Sequence, residues 1–161
     1  MIAVLQRANA AAVRVEGSVV GEIGRGLLIL LGVSGEDGRE DAERLAAKIT
    51  KCRIFKDAED KMNLSLLDVD GEALVVSNFT LLADYHHGNR PNYLAAAAPE
   101  QAEVLYEYFV ELLKKEVKRV ATGEFGADMK ISLEADGPVT IVMDSNVLKS
   151  KKGAVTHEAA H

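Results

Sequence analysis

Short apolar runs alternate along the chain with two longer segments of helical periodicity. Residues 2–7 predict a strand, and the runs 12–15 and 19–23 predict a β-hairpin around the turn at residues 16–18. Residues 27–33 are apolar apart from one glycine, which is typical of a strand buried on both faces. The first third of the chain therefore predicts a sheet of at least four strand segments.

Apolar residues that recur every three or four positions predict two helices. In both segments the charged side chains fall on the opposite face, toward water. Pro99 stands at the first-turn position that proline favours, so the second helix begins there. The two stripes are Ala42, Leu45, Ala46, Ile49 and Cys52, and Ala102, Leu105, Tyr106, Phe109, Leu112 and Leu113.

Three further strands are predicted at residues 73–80, 129–133 and 139–143, and the last two meet at the turn 136–138. Because strands occur both in hairpins and around helices, we predict an α/β fold of the α+β type. Its mixed, curled, barrel-like sheet carries two main helices. Residues 1–145 are predicted to form a single domain, and residues 146–161 a polar C-terminal tail.

Composition narrows the function classes. The net charge of −6 over 161 residues argues against nonspecific coating of nucleic acid. One cysteine, no secretory signal and no run of about 20 apolar residues predict a cytoplasmic protein without a membrane span. Two basic clusters are either phosphate contacts or a solvated helix end and tail: Lys114, Lys115, Lys118 and Arg119, and Lys149, Lys151 and Lys152.

Several local motifs resemble catalytic or metal-binding motifs but lack one of the residues that those motifs require. Ser34 follows a strand like a hydrolase nucleophile, but Glu36 stands where the tight turn needs glycine, so a turn serine is favoured. His86 and His87 adjoin an aspartate, but adjacent side chains of an extended segment point to opposite sides. We therefore predict exposed loop histidines, no metal site and no cofactor.

Two segments remain as site candidates. On a strand, Ser77 and Phe79 would share one face, and Asn78 and Thr80 the other. The alternative for this segment is a strand edge with its hydroxyls bonded to backbone. The other segment is Gly137-Pro138. It is either a simple β-turn or a turn with a cis X-Pro bond, which is rare enough to indicate a specific structural role.

A series of short motifs along residues 1–145 resembles the D-aminoacyl-tRNA deacylase family. Each motif is weak alone, but their order and spacing together are specific. They lie at residues 5–7, 21–24, 26–28, 31–33, 53–55, 61–65, 76–81, 88–91, 122–129 and 136–140.

The resemblance implies an enzyme that hydrolyses the ester between a D-amino acid and the 3′-terminal adenosine of tRNA. It implies a homodimer with its sites at the subunit interface, where a cis Gly137-Pro138 reaches into the neighbouring subunit's pocket. The Ser-Gln-x-Thr motif of the family corresponds to residues 77–80. Its usual glutamine is Asn78, and the usual asparagine before the Gly-Pro turn is Ala135, which puts the range of accepted amino acids in question.

Each candidate residue has an expected role. The backbone N–H groups of Phe79 and Thr80 would stabilise the oxyanion. The nucleophile is either Thr80 itself or, as the resemblance implies, water activated by the substrate's 2′-hydroxyl.

If the carbonyls of Gly137 and Pro138 hold the substrate ammonium, an L side chain meets backbone and a D side chain points outward. Glycyl-tRNA would then be cleaved too. Arg7 either braces the Gly-Pro carbonyls or is a surface arginine. Met129 and Phe125 either line the pocket or pack in the core.

Two other function classes stay open from sequence. The first is a non-catalytic dimer that binds an RNA end or a nucleotide. The second is a serine esterase that uses Ser34 or Ser77 with a histidine.

Overall fold

The computed structural model describes residues 1–149. Eight strands and two helices follow one another, with a 3-10 turn after β6 (Phe79–Leu82) and another after β8 (Ser145–Leu148). The elements are β1 (Ile2–Val15), β2 (Ser18–Ile23), β3 (Gly26–Gly32), α1 (Arg39–Lys51), β4 (Phe55–Lys56), β5 (Met62–Leu64), β6 (Glu72–Ser77), α2 (Pro99–Lys114), β7 (Val120–Thr122) and β8 (Lys130–Asp144).

One mixed sheet organises the fold. Its strand order is β2-β1-β3-β6-β7, and β8 pairs with β1 on the side away from β3. The β3–β6 and β6–β7 pairs are parallel and the others antiparallel. The sheet curls until β2 meets β7, where a Cβ on Gly21 would lie 2.3 Å from the Thr122 carbonyl oxygen. The predicted α+β fold with a barrel-like sheet is confirmed.

Both predicted helices are present, and they pack on the sheet through the predicted stripes. Ala42, Leu45 and Ile49 of α1 are fully buried, as are Phe109 and Leu113 of α2, and all join the main core. Cys52, just after α1, is only partly buried. The continuous apolar run at residues 27–33 corresponds to β3, which is buried on both faces as predicted.

Three strand predictions were wrong in their extent. The strands predicted separately at residues 2–7 and 12–15 are one strand, β1. The strand predicted to reach Thr80 ends at Ser77, because the chain turns there into a 3-10 helix. The two strands predicted around Gly137-Pro138 are one strand, β8, which pairs with β1 on both sides of the turn. The register of the β1–β8 pair shifts at residues 6–10 of β1, opposite the Gly-Pro turn, so the pairing resumes on both sides of the turn. A proline is compatible with this position because β8 is an edge strand.

A buried ionic network ties the end of β8 to α1. The Met1 ammonium lies 2.7 Å from Asp37 Oδ1 and donates to Ser145 Oγ, which in turn donates to Asp41 Oδ1. Burial works to raise the pKa of Asp41, but hydrogen bonds from the Gly38 N–H and the Ser145 hydroxyl hold it below its usual value.

The first residues of the predicted tail belong to this packed region, since Leu148 lies against the main core. Residues 150–161 of that tail lie outside the described residues, and the division into domain and tail stays a prediction. Among residues 1–149, the helices are too short or too polar to cross a membrane.

Candidate active site

A cleft of about 670 Å³ opens at the carboxyl ends of the parallel strands β3 and β6. Its walls are mostly apolar and come from β3, β6, the start of α2 and the segment that leads into β8. The lining residues are Leu30, Val33, Val76, Ser77, Asn78, Phe79, Tyr93, Ala96, Ala97, Pro99, Ala102, Phe125, Gly126, Ala127, Met129 and Ile131. Five predicted site residues therefore meet here: Ser77, Asn78, Phe79, Phe125 and Met129.

Asn78 shapes the floor of this cleft. Its N–H continues the sheet by donating to the Leu31 carbonyl at 2.8 Å. Its side-chain oxygen caps the following 3-10 turn by accepting from the Thr80 N–H at 3.2 Å. The chain leaves the sheet at this residue, so the alternating faces predicted for residues 77–80 are wrong. Ser77, Asn78 and Phe79 line the cleft together.

Thr80 is placed differently from the prediction. It is not among the residues that line the cleft, and its Oγ1 donates to Asn78 Oδ1. Since its N–H is also bonded to Asn78, both of its donors are occupied within the turn. In the described part of the chain, the N–H of Phe79 has no protein acceptor. Of the two expected oxyanion donors, only Phe79 N–H is free.

A loop between β6 and α2 supplies the wall that sequence reasoning missed. Tyr93 meets Phe79 edge-to-face, with ring centroids 5.1 Å apart. The loop is fixed to the end of β3 because the Ala97 N–H donates to the Val33 carbonyl at 2.9 Å. Its signals in the sequence are the family-like motif at residues 88–91 and the run of small apolar residues 95–98 just before the helix.

The back wall rests on the buried core. Phe125 contacts Tyr106 at a centroid distance of 5.9 Å, and the Tyr106 hydroxyl donates to the Val75 carbonyl of β6 at 2.9 Å. Burial, reinforced by the neighbouring Glu107, raises the pKa of Tyr106 to about 12, so this donor stays protonated. Phe125 and Met129 line the cleft and also pack against the core, so each residue does both of the things that the sequence analysis gave as alternatives.

Arg7 is a buried residue, and the alternative of a surface arginine is wrong. Only 3% of it is exposed. Its Nη1 donates to the Ile54 carbonyl at 2.7 Å, and its Nε donates to the Asp136 carbonyl at 3.2 Å. The same Nε lies 3.1 Å from the Asp136 carboxylate. Arg7 thus braces the residue before the Gly-Pro turn, where the prediction named the Gly and Pro carbonyls.

The Gly137-Pro138 bond is cis, and both residues are exposed. Gly137 has a φ of 127°, a region that favours glycine, and a Cβ there would lie 2.9 Å from the Val139 nitrogen. Neither residue lines the cleft of its own chain. Ile131, which does, lies six residues earlier on β8, or about 20 Å at ~3.3 Å per residue.

The other chemical candidates lie outside the cleft. Ser34 Oγ accepts from the Glu36 N–H at 3.2 Å, as expected of a turn serine. The prediction that His86 and His87 point to opposite sides is wrong, because their rings stack at 4.2 Å where the chain bends. Within residues 1–149 no group of three or more His, Cys, Asp and Glu side chains is arranged to hold a metal ion.

Comparison with known proteins agrees with this geometry. The family model described as D-Tyr-tRNA(Tyr) deacylase matches residues 4–144. The chain belongs to this family. The predicted family is thereby confirmed, and with it the enzyme class, a hydrolase of ester bonds.

Individual relatives match nearly the whole chain. A D-aminoacyl-tRNA deacylase of Thermosipho melanesiensis is 56% identical over 146 residues, and one of Clostridium botulinum (strain 657 / Type Ba4) is 53% identical over 145. Each alignment covers 90% of this chain and 97% of the relative.

Two solved structures share the fold. The c-Myc DNA Unwinding Element Binding Protein matches with a TM-score of 0.85 at 40% identity, over 89% of this chain and 98% of that one. A probable eukaryotic D-amino acid tRNA deacylase matches with a TM-score of 0.77 at 17% identity, over 88% and 97%. The second likeness shows the fold alone.

The Arg7 contacts predict a stability cost for a shorter cation. Arg7→Lys keeps the charge but cannot reach both carbonyls, so one buried acceptor loses its partner. Because one hydrogen bond to a charged group is worth about 1.5–3 kcal/mol, we expect the free energy of unfolding to fall by that amount. Urea denaturation measures this change. The control is Arg14→Lys, whose exposed guanidinium bonds Ser132, and we expect a change within about 0.5 kcal/mol. Equal effects in the two variants would contradict the bracing role.

Proposed function

We propose that the protein hydrolyses the ester of D-aminoacyl-tRNA, releasing tRNA and the free D-amino acid. The observation that carries the proposal is the apolar cleft lined by Phe79, whose N–H has no protein acceptor among residues 1–149. The relatives named D-aminoacyl-tRNA deacylase support the substrate class. We also infer that the enzyme acts in the cytoplasm, as its substrate requires.

Phe79 N–H is the proposed oxyanion donor. Attack on the ester carbonyl places a negative charge on its oxygen, and a fixed backbone donor stabilises that charge without reorganising. Removing one such donor typically costs about 3 kcal/mol of transition-state stabilisation. Ser77, at the end of β6, lines the cleft beside Phe79. Asn78 caps the 3-10 turn and so fixes the direction of the Phe79 N–H.

Chirality is proposed to be read by the Gly137-Pro138 turn of a second copy of the chain. The turn is exposed and braced by Arg7, and it lies outside the cleft of its own chain. In a homodimer it would enter the neighbour's cleft, and its carbonyls would hold the substrate ammonium. An L side chain would then meet backbone, while a D side chain would point toward the open part of the cleft. Phe125 and Met129 would contact the substrate from the opposite wall.

Water activated by the substrate's own 2′-hydroxyl is the proposed nucleophile. Thr80 is a poor alternative because its hydroxyl proton is already donated to Asn78, with no base beside it. Proximity suffices in principle, since the 2′-hydroxyl lies next to the reacting ester.

The two departures from the family pattern fall at different places. Asn78 retains its carboxamide, and this group is committed to the cap of the 3-10 turn. Ala135 pairs with Ala8 inside the sheet, so the turn is held there by strand pairing and by Arg7. We therefore expect both hydrolysis and chiral selection to be retained.

The proposal is tested with three charged tRNAs: D-tyrosyl, L-tyrosyl and glycyl. We expect D-tyrosyl-tRNA to be hydrolysed at least about 100-fold faster than the L form, since a clash of about 3 kcal/mol lowers the rate by that factor. Glycyl-tRNA has no side chain to clash and is expected to be cleaved.

The same assay separates the alternatives. No release from any substrate, with tRNA still bound, would favour a non-catalytic RNA-end binder. Cleavage of a simple acyl ester that is lost in Ser34→Ala or Ser77→Ala would favour a serine esterase. Equal rates for D- and L-tyrosyl-tRNA would contradict the chiral clamp.

A second prediction concerns the nucleophile. Thr80→Ala should retain kcat within about 10-fold, whereas loss of a true nucleophile costs at least about 10⁴-fold. A substrate that ends in 2′-deoxyadenosine should instead lose at least about 100-fold, the contribution of general acid–base assistance. The reverse pattern would assign the chemistry to Thr80. Single-turnover rates measure both effects without interference from product release.

A further inference from the structure

A second cleft, of about 560 Å³, runs along the outer face of α1 and is independent of the first. Four of its seven lining residues are cationic and none is acidic, on a chain whose net charge is −6. We call it the basic groove. It is lined by Arg44, Ala47, Lys48, Lys51, Cys52, Arg53 and Leu148.

Three of the four cations lie on one face of α1. Arg44, Lys48 and Lys51 follow one another at four and three residues, so they lie on one face of α1. Like charges at this spacing disfavour a helix. Arg53, just beyond the helix end, adds a fourth charge to the same face. Lys48 and Lys51 lie in the last turn of α1, where the helix dipole favours cations, and together with Arg44 and Arg53 they concentrate positive charge on one face.

Two of the four cations of the groove have a carboxylate nearby: Arg44 is paired with Glu40, and hydrogen bonds from Ser65, helped by the charge of Arg53, lower the pKa of Asp68. In the described part of the chain, Lys48 and Lys51 form no ion pair, and the Nη1 of Arg53 donates to the neutral Asn63 Oδ1 at 3.3 Å. Arg44 alone is paired, with Glu40 at 3.2 Å.

The basic clusters predicted from sequence are, in contrast, partly neutralised. Lys114 is paired with Glu111, Lys118 with Asp70 and Lys149 with Asp41. Charge that is already paired attracts a polyanion less strongly than free charge. The better candidate for phosphate contacts is therefore the groove on α1.

The groove adjoins the Gly-Pro turn through named contacts. Arg53 is followed by Ile54, whose carbonyl accepts from Arg7 Nη1 at 2.7 Å. The same guanidinium bonds the Asp136 carbonyl just before Gly137. A ligand whose reactive end meets this turn has its next segment within reach of Arg53.

We propose that the basic groove binds the phosphates of the tRNA acceptor end. The proposal rests on the proposed function, in which the turn receives the aminoacyl adenosine in the partner's cleft. Phosphodiesters spaced along an RNA strand match a row of unpaired lysine and arginine side chains. Such contacts position the substrate without reading its sequence, so they suit an enzyme that must accept many tRNAs.

Cys52 provides a reporter in the unmodified protein. It is the only cysteine of the chain, it lines the groove, and its thiol is partly accessible. Burial raises the pKa of Cys52, against the opposing effect of the Lys48 ammonium, so alkylation is followed at mildly alkaline pH. We expect deacylated tRNA to slow alkylation by iodoacetamide at least about fivefold, and D-tyrosyl-adenosine, which lacks phosphates, to leave it unchanged.

Charge-removing variants test the same surface by kinetics. Lys48→Gln, Lys51→Gln and Arg53→Gln are combined, and the matched control combines Lys56→Gln, Lys61→Gln and Lys114→Gln, three lysines already paired with carboxylates. Each lost phosphate contact lowers the slope of log binding constant against log salt by about 0.7–0.9. We expect the magnitude of this slope to fall by about 2–3 in the groove variant. We also expect its KM for D-tyrosyl-tRNA to rise about 10-fold, while its KM for D-tyrosyl-adenosine stays the same. The control should change neither.

The outcomes are distinguishable. Unprotected Cys52, or an unchanged salt slope in a folded groove variant, would overturn the RNA assignment. Protection by polyglutamate as strong as that by tRNA would also overturn it, in favour of an acidic protein partner. If neither D-tyrosyl-tRNA nor D-tyrosyl-adenosine is hydrolysed by the wild type, the proposed function fails, while the alkylation result still decides the groove.

Discussion

Strand β8 imposes the constraint on which the rest of the structure depends. Its first residues line the cleft, and its middle carries the Gly-Pro turn, about 20 Å further along at ~3.3 Å per residue. Pairing with β1 on both sides of the turn fixes this separation. Under the proposed mechanism, one chain therefore carries both halves of the site but cannot bring them together by itself. A second copy is the simplest way to join them, because in a two-fold dimer each turn can meet the other chain's cleft.

The proposed chemistry of the cleft follows from backbone geometry. Asn78 ends the sheet and caps the turn, which occupies the donors of Thr80 and leaves the Phe79 N–H free. Main-chain groups cannot be altered by simple substitution, and they are held more rigidly than side chains. A site built from them suits a reaction whose ester is already activated, because it needs mainly positioning and charge stabilisation.

Periodicity in the sequence predicted the sheet, both helices and the buried β3, because these depend on local patterns of apolar residues. The end of β6 was mispredicted because a hydrogen bond to Leu31 and a side-chain cap, rather than residue type, turn the chain at Asn78. Tyr93 was missed because only the fold brings its loop against Phe79. The segment at residues 77–79 was singled out by its own pattern, whereas Phe125 and Met129 were named only after the resemblance, since no spacing rule joins segments so far apart. The basic groove was interpreted as an ordinary solvated helix face, because ion pairing is visible only in three dimensions.

The central claim, that each cleft is completed by the other chain's turn, is tested by complementation between two disabled variants. Gly137→Val disrupts the turn, since its φ of 127° disfavours a side chain, and Ala102→Trp fills the cleft. Each alone should be inactive on D-tyrosyl-tRNA. Refolded together in equal amounts, they form mixed dimers with one intact site, and activity should recover to about one quarter of the wild-type value. No recovery despite mixed dimers confirmed by native mass spectrometry, or full activity of the turn variant alone, would contradict the account.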